Sequence, residues 1–220
     1  MQTAIAKQVQ VLALTEHMPR HEQDFYPEER EAGLTFEWHW KNMAEYYQEA
    51  IRLRKKYGQV ISLLIGFESD WIRPGSLGLI ERLLKGHAFD FFVGSVHHVH
   101  TLPIDYNQEY YVKARDVSGG TDERLFNDYF DAQLDMLKAV KPPVVGHFDL
   151  IRLKSDDPNR SFRPYEQVWG RVLRNLDFVV SYGGILELNF AALRKGMSEP
   201  YPMVEICQVI SWFHFQVLVG

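Results

Sequence analysis

The feature that most restricts the fold of this chain is a set of short, almost wholly apolar runs separated by longer segments with helical spacing. Residues 60–67 (VISLLIGF) and 89–96 (FDFFVGSV) are two such runs. Strands that are buried on both faces have this composition, and they occur in parallel sheets covered by crossover helices. The sequence therefore predicts an α/β fold, with further strands at residues 9–15, 142–145 and 184–188.

The intervening segments have the periodicity of amphipathic helices. In residues 36–57, Trp40, Met43, Tyr47 and Ile51 recur at steps of three and four, and Gly58 follows the last turn. Shorter patterns predict helices at residues 77–84, 121–140 and 164–180, with a last helix after Pro202. Residues 98–120 show neither pattern, and we predict a long irregular loop over the functional site.

Composition limits the classes of partner. The chain has 220 residues, 46% of them hydrophobic, and a formal net charge of −5, which suits one domain over residues 1–220 and no nucleic-acid partner. Its apolar runs are shorter than the roughly 20 residues that cross a bilayer, and its N-terminus does not resemble a signal peptide. With the single Cys207, this predicts a cytoplasmic protein without a membrane partner. No pattern indicates an oligomeric state.

Polar side chains with metal-binding or catalytic potential follow the predicted strands. They are Glu16 and His17, Glu68, His97 and His98, His147 and Asp149, and Asn189. The carboxyl ends of strands are where α/β sheets and barrels place their sites. An open sheet would spread the four ends that carry a histidine or an acidic residue over roughly 15 Å, at about 4.8 Å per strand, whereas a barrel brings them together. The placement of these residues therefore favours a barrel.

Glu68, His97 and His147 are the strongest candidates for metal ligands. Two imidazoles and one carboxylate suit Zn²⁺ or Mn²⁺ with positions left open for water or a phosphate oxygen. The alternative is that each side chain is structural, with Glu68 paired to Arg73. We expect structural roles for the histidines in helices and loops: His21, His39, His87 and His214, with His100 nearer the site.

Six short motifs together resemble the histidinol-phosphatases of the PHP (polymerase and histidinol phosphatase) family, with the fungal type most similar. They are TEHMPR at 15–20, GFE at 66–68, GSVHH at 94–98, GHFDL at 146–150, ELN at 187–189 and LRK at 193–195. Their order and spacing carry the resemblance, which covers about residues 6–208. Residues 209–220 form a tail outside it.

The resemblance implies a distorted, TIM-like (β/α)7 barrel that hydrolyses a small-molecule phosphomonoester, L-histidinol phosphate, to L-histidinol and phosphate in histidine biosynthesis. It implies a trinuclear cluster of divalent metal ions (Zn, Mn or Fe) at the strand ends. By this resemblance Glu68 bridges two metals, His97 and His147 complete the second metal's ligands, and His17 serves the third. Arg20 and Arg194 are candidate phosphate-binding residues because guanidinium groups bind phosphate oxygens in pairs.

The chain departs from the family pattern at both ends. The family begins with a His-x-His strand and ends with an Asp-x-His strand, whereas this chain starts at Met1 without the first motif and its tail after Gln208 contains no Asp. The sequence therefore predicts an incomplete barrel without the first and last strands, and an incomplete metal cluster. Two alternatives to the histidinol-phosphatase activity stay open: a catalytically inactive remnant, and a PHP phosphoesterase with another phosphomonoester substrate.

Overall fold

The computed structural model describes residues 1–212 and 217–219, which divide into two compact units. The first unit contains Met1–Asp70 and Gly75–Val93, and the second contains Trp71–Pro74 and the described part of Gly94–Gly220. Both units combine parallel strands with helices, so the predicted α/β class is confirmed. None of the helices in the described part of the chain is long and apolar enough to span a membrane.

The first unit is built on two parallel strands. Its elements are α1 (Gln2–Ala6), β1 (Val11–His17), a 3-10 turn (Glu22–Asp24), α2 (Pro27–Glu31), α3 (Phe36–Tyr57), β2 (Ser62–Asp70) and α4 (Ser76–Gly86). The register of β1 and β2 places His17 opposite Glu68. Helix α3 begins where predicted because the Thr35 side chain accepts a hydrogen bond from the Trp38 N–H, at 3.2 Å.

The core of the first unit lies between α3, β2 and the segment after α4. Phe67 is fully buried and packs on Phe89 and Phe92, with ring centroids 4.9 and 5.4 Å away. Next to it, the Tyr46 hydroxyl of α3 donates to the Gly66 carbonyl at 2.8 Å. A Cβ at position 66 would lie 2.8 Å from the carbonyl oxygen of Phe91, so only glycine allows this approach. This packing fixes the end of β2 that carries Glu68.

The second unit contains the remaining elements. They are β3 (Val93–Ser95, which begins at the boundary), β4 (His98–Val99), β5 (Leu102–Pro103), α5 (Gln108–Val117), α6 (Asp122–Val140), β6 (Val144–Val145), a 3-10 helix (Leu150–Lys154), α7 (Glu166–Ser181), β7 (Ile185–Leu188), α8 (Ala191–Arg194), α9 (Val204–Trp212) and β8 (Val217–Val219). Strand β7 pairs in parallel with β6 on one side and with β8, from the tail, on the other.

Helices α6 and α7 form the principal core of this unit. Phe130 of α6 packs on Phe148 and Phe162, with ring centroids 5.7 Å away in both cases. On α7, this packing completely buries one polar side chain, that of Asn175. Its amide donates to the Phe130 carbonyl at 2.7 Å and to Gln133 Oε1 at 3.0 Å. The hydrogen bonds satisfy the buried amide and hold the two helices in register.

The prediction of an irregular loop at residues 98–120 is wrong. Strands β4 and β5 form a short antiparallel hairpin, with positive φ angles at His100 and Thr101 in its turn. Helix α5 follows, with the Asn107 side chain accepting from the Tyr110 N–H at 2.9 Å. Two-residue strands are too short for an alternating pattern to appear in the sequence, and the Asn107 cap was the local signal that marked the helix.

Candidate metal centre

Two buried histidines in the second unit face each other at the ends of neighbouring strands. His97 follows β3 and His147 follows β6, and their Nε2 atoms lie 3.1 Å apart. The residues are only 6% and 8% exposed. The Gly146 N–H donates to the Gly94 carbonyl at 3.0 Å, which links the two strand ends directly. The histidines that sequence reasoning placed at separate strand ends are therefore brought together.

The spacing of this pair fits two ligands of one divalent ion. Nitrogen ligands lie about 2.0–2.1 Å from Zn²⁺, so two of them in tetrahedral geometry are about 3.3 Å apart. The 3.1 Å between the Nε2 atoms of His97 and His147 is close to this value. Imidazole is also the nitrogen ligand that Zn²⁺, Mn²⁺ and Fe²⁺ share. The pair can thus hold a metal with little rearrangement.

The backbone and ring of His147 are fixed by residues from β7 and from the segment before α9. Its backbone N–H donates to Glu187 Oε2 at 3.0 Å. Its ring meets the Tyr201 ring edge-on, with the centroids 6.3 Å apart. Neither Glu187 nor Tyr201 was singled out by sequence reasoning, although Glu187 lies within the ELN motif.

A buried ion pair follows His147 directly. Asp149 and Arg152 are 0% and 1% exposed, and the Arg152 Nε–H donates to Asp149 Oδ2 at 2.9 Å. Burial raises the pKa of Asp149, although the positive charge of Arg152 and the N–H of Met203 act in the opposite direction. Sequence reasoning missed Arg152, and the three-residue spacing between Asp149 of the GHFDL motif and Arg152 was the available signal.

In the first unit, His17 and Glu68 lie side by side at the carboxyl ends of β1 and β2. The distance from His17 Nδ1 to Glu68 Oε2 is 3.7 Å. The Met18 N–H donates to the Glu68 carbonyl at 2.9 Å, which extends the parallel ladder past the strand end. The His17 side chain is half exposed, whereas that of Glu68 is largely buried. The two predicted ligands of this unit are therefore neighbours.

Arg20 lies in a buried cluster just beyond His17. Its Nη2 donates to Glu29 Oε1 at 2.6 Å, and its guanidinium stacks over the Tyr26 ring at 4.7 Å. Burial alone lowers the pKa of Arg20, but the hydrogen bond to Glu29 and the charge of Asp70 outweigh it and the pKa is raised. Within residues 1–212 and 217–219, the Arg20 Nε–H has no hydrogen-bond partner. Arg20 is thus a fixed cation with a remaining donor.

The other predicted anion-binding residue, Arg194, is placed differently. It is exposed and lies in the last turn of α8, six residues after β7 ends. A guanidinium in this position is accessible to a dissolved anion.

Most of the remaining histidines have the structural surroundings that we expected. His21 stacks on Phe36, His39 packs on Phe25 and His87 packs on Tyr47, all within the first unit. His100, in the hairpin turn, contacts Asp128 of α6 at 2.7 Å. His214 lies outside the described residues.

Comparisons with known proteins place the chain in a family. A family model described as "PHP domain" matches residues 1–191. This chain belongs to the PHP family. It is 42% identical over 212 residues to a "Probable histidinol-phosphatase" of Schizosaccharomyces pombe, a match that covers 96% of this chain and 69% of the relative.

Two solved structures share the PHP fold of this chain. A Listeria monocytogenes protein, hisK, assigned as a histidinol phosphatase, aligns with a TM-score of 0.85 and 21% identity over 100% of this chain and 85% of its own. A histidinol phosphate phosphatase of Lactococcus lactis aligns with a TM-score of 0.68 and 20% identity over 99% of this chain and 87% of its own. The Lactococcus lactis structure is a complex with zinc, L-histidinol and phosphate.

Proposed function

We propose that this PHP-family chain is a metal-dependent phosphatase that hydrolyses L-histidinol phosphate to L-histidinol and phosphate, a step of histidine biosynthesis. The observation that carries the reaction class is the buried His97–His147 pair, with its Nε2 atoms 3.1 Å apart. The substrate assignment is supported by the 42% identity to the Schizosaccharomyces pombe relative and by the ligands of the Lactococcus lactis structure.

Glu68 is proposed to complete the ligand set of His97 and His147, and His17 to bind a neighbouring metal of a trinuclear cluster. Glu68, His97 and His147 each offer a suitable donor atom, and two imidazoles with one carboxylate suit Zn, Mn or Fe. The proximity of His17 to Glu68 supports the proposal that these two side chains would serve the same cluster. When bound, divalent ions in such a site polarise a phosphoryl oxygen and lower the pKa of water toward neutrality.

The chain's own residues would orient the ligands and receive the phosphate. His97 and His147 must present neutral nitrogens to a metal, and both side chains are buried at neighbouring strand ends. We propose that Arg194 and Arg20 bind the phosphate oxygens, because a guanidinium matches their geometry. The Glu29 carboxylate holds Arg20 in place before any substrate arrives.

Three broader assignments accompany this function. We propose that both compact units belong to one domain, since the PHP match at residues 1–191 runs through both. A biosynthetic phosphatase that acts on a small metabolite is expected in the cytoplasm. We also expect no nucleic-acid or membrane partner, in keeping with the net charge of −5 and the absence of long basic runs.

The test is phosphate release from L-histidinol phosphate by the purified chain after incubation with Mn²⁺ and Zn²⁺. Glu68→Gln removes a proposed ligand, and kcat should fall at least about 100-fold, since even outer-shell partners of a metal cost 10–100-fold. Glu45→Gln is the matched control, because Glu45 is an exposed carboxylate on α3 that contacts only Lys41 among its charged neighbours in the described chain. Its activity should equal that of the wild type.

The same preparation separates the alternatives. Equal phosphate release by wild type and Glu68→Gln would reveal a contaminating phosphatase and contradict the proposal. Bound metal in elemental analysis without turnover of any phosphomonoester would identify an inactive metal-binding protein. Faster release from a nucleotide or a phosphosugar would show a different substrate. About three metals per chain would support the trinuclear centre.

A further inference from the structure

A short segment with the sequence EPYPM, residues 199–203, crosses the end of β7 in the second unit. Its middle residue, Tyr201, forms an antiparallel bridge with Asn189: the Asn189 N–H donates to the Tyr201 carbonyl at 2.7 Å, and the Tyr201 N–H donates back at 3.0 Å. The 199–203 segment therefore lies against the strand end that follows Glu187, and Glu187 accepts the backbone N–H of His147.

Arg152 attaches this segment to the chain that follows His147. Its Nη2 donates to the carbonyls of Glu199, at 3.1 Å, and Pro200, while its Nη1 donates to the Pro158 carbonyl at 3.0 Å. The guanidinium also lies over the Tyr201 ring, 5.1 Å from its centroid. One planar cation thus contacts three consecutive residues of the segment.

Asp149 makes the second attachment from the same position. Its Oδ2 accepts both the Arg152 Nε–H, at 2.9 Å, and the Met203 N–H, at 3.0 Å. Because Asp149 is two residues after His147, the ion pair connects the His147 backbone to both ends of the 199–203 segment. The attached segment presents the Tyr201 ring, which is 1% exposed, to the edge of the His147 ring.

The energetics point away from a purely stabilising role. A buried ion pair costs desolvation that often equals or exceeds its attraction, and replacing such a pair by apolar groups is frequently neutral. What the pair supplies is geometry, because the rigid fork of arginine fixes several acceptors at once and lysine cannot. A fork of this kind next to a metal ligand is the arrangement expected of a group that orients the ligand.

We propose that Arg152 is a positioning residue: by clamping the 199–203 segment and its Tyr201 ring against His147, it holds the His147 imidazole in the orientation that faces His97. This inference rests on the proposed function, in which His147 binds a metal. It adds that the metal affinity of the centre depends on Arg152, whose guanidinium donates to backbone carbonyls and to an aspartate and contacts neither the metal nor the substrate.

The experiment measures Zn²⁺ affinity by competition with a chromophoric chelator, together with amide hydrogen exchange of the metal-free protein. Arg152→Lys keeps the charge and loses the fork, and should weaken Zn²⁺ binding about 10–100-fold. It should also speed exchange at Met203, whose N–H bonds Asp149. Arg174→Lys is the control, since Arg174 also joins a carboxylate, Asp131, and a backbone carbonyl but lies on α7. Its Zn²⁺ affinity should be that of the wild type.

A second pair of variants isolates the ring contact and covers the case in which Arg152→Lys does not fold. Tyr201→Phe keeps the ring and loses only the hydroxyl, which donates to Met197 Sδ at 3.3 Å, so Zn²⁺ affinity should be retained. Tyr201→Ala removes the ring beside His147 and should weaken binding at least about tenfold.

The outcomes distinguish this inference from the proposed function. A wild-type chain that binds no Zn²⁺ would overturn the metal centre and the positioning role with it. A wild type that binds Zn²⁺, with Arg152→Lys and Tyr201→Ala equally tight, would overturn the positioning role alone, even if both variants melt at lower temperature. Weakened binding in these two variants, with Arg174→Lys and Tyr201→Phe unchanged, would establish it.

Discussion

Gly94 offers the sharpest test of how packing builds the proposed metal centre. A Cβ at this position would lie 2.4 Å from Pro142 Cγ, 2.7 Å from Pro142 Cβ and 3.2 Å from Met136 Sδ. The methionine can move, but the proline ring is rigid and follows Lys141, which has a positive φ of 42°. Gly94→Ala must therefore push β3 away from the connection between α6 and β6.

The cost can be estimated from this clash. Extra methyl groups in a tightly packed core destabilise by about 1–3 kcal/mol. Displacing β3 also stretches the hydrogen bond from the Gly146 N–H to the Gly94 carbonyl, and a lost bond adds about 1 kcal/mol. We expect Gly94→Ala to lower the free energy of unfolding by about 2–4 kcal/mol. Because His97 follows three residues later, Zn²⁺ affinity should fall as well.

The assay is equilibrium unfolding in urea, followed by tryptophan fluorescence. With an m-value of about 2 kcal/mol/M, the midpoint of Gly94→Ala should fall by roughly 1–2 M. Gly170→Ala is the matched control: Gly170 is exposed on α7, and a Cβ there would meet nothing within 4 Å. Gly170→Ala should stabilise the protein by about 0.5–1 kcal/mol, since alanine favours a helix over glycine.

The reasoning would be refuted by a Gly94→Ala midpoint equal to that of the wild type or above it. Such a result would mean that β3 and Pro142 do not approach as closely as described. A fall of similar size in Gly170→Ala would instead show that the assay responds to any added methyl group.

Two further predictions concern stability in the two units. Thr121→Ala should lower the free energy of unfolding by about 0.5–2 kcal/mol, because the Thr121 side chain accepts a hydrogen bond from the Arg124 N–H at the start of α6. Thr121→Ser keeps this acceptor and should melt at the wild-type temperature. Burial raises the pKa of Tyr46 to about 12, so the folded state favours the neutral phenol. Its contribution is complete below the unfolded pKa of about 10 and is lost as pH rises through 12. Tyr46→Phe should therefore be less stable than the wild type by about 1 kcal/mol at pH 8, and the gap should narrow from pH 10 to 12 in urea titrations; a constant gap would contradict this.

Helices α3, α4, α6, α7 and α9 were predictable because their signals are local, whereas α5 was missed. Helix α3 occupies residues 36–57 as predicted, since Thr35 caps its first turn and Gly58 follows its last. The strands were predicted in the correct places but with the wrong lengths. The run at residues 89–96 forms a strand only at 93–95, and the Phe89 and Phe92 rings of its first half pack on Phe67. Strand limits depend on where a partner's hydrogen bonds begin and end, and the partner is remote in the sequence.

The residues of the proposed metal centre were likewise only partly predictable from the sequence. The rule that chemistry follows strand ends was sufficient to select His97 and His147, and the structure brings their Nε2 atoms together. It could not select Arg152, because two of its acceptors, the carbonyls of residues 199 and 200, become neighbours only after α7, β7 and α8 have been folded into place. Nor could it show that Arg20 is buried against Glu29.

The sequence by itself determined the α/β class, the positions of helices α3, α4, α6, α7 and α9, the family and the candidate metal ligands. These depend on side-chain chemistry, on periodicity and on the order of short motifs, all of which are local along the chain. Only the tertiary structure decided which ligands face each other and which side chains hold them. Those arrangements arise from contacts between segments 40–50 residues apart, such as His97 with His147 and Arg152 with the 199–203 segment. The free energy of such contacts depends on distance and burial, which no local pattern encodes.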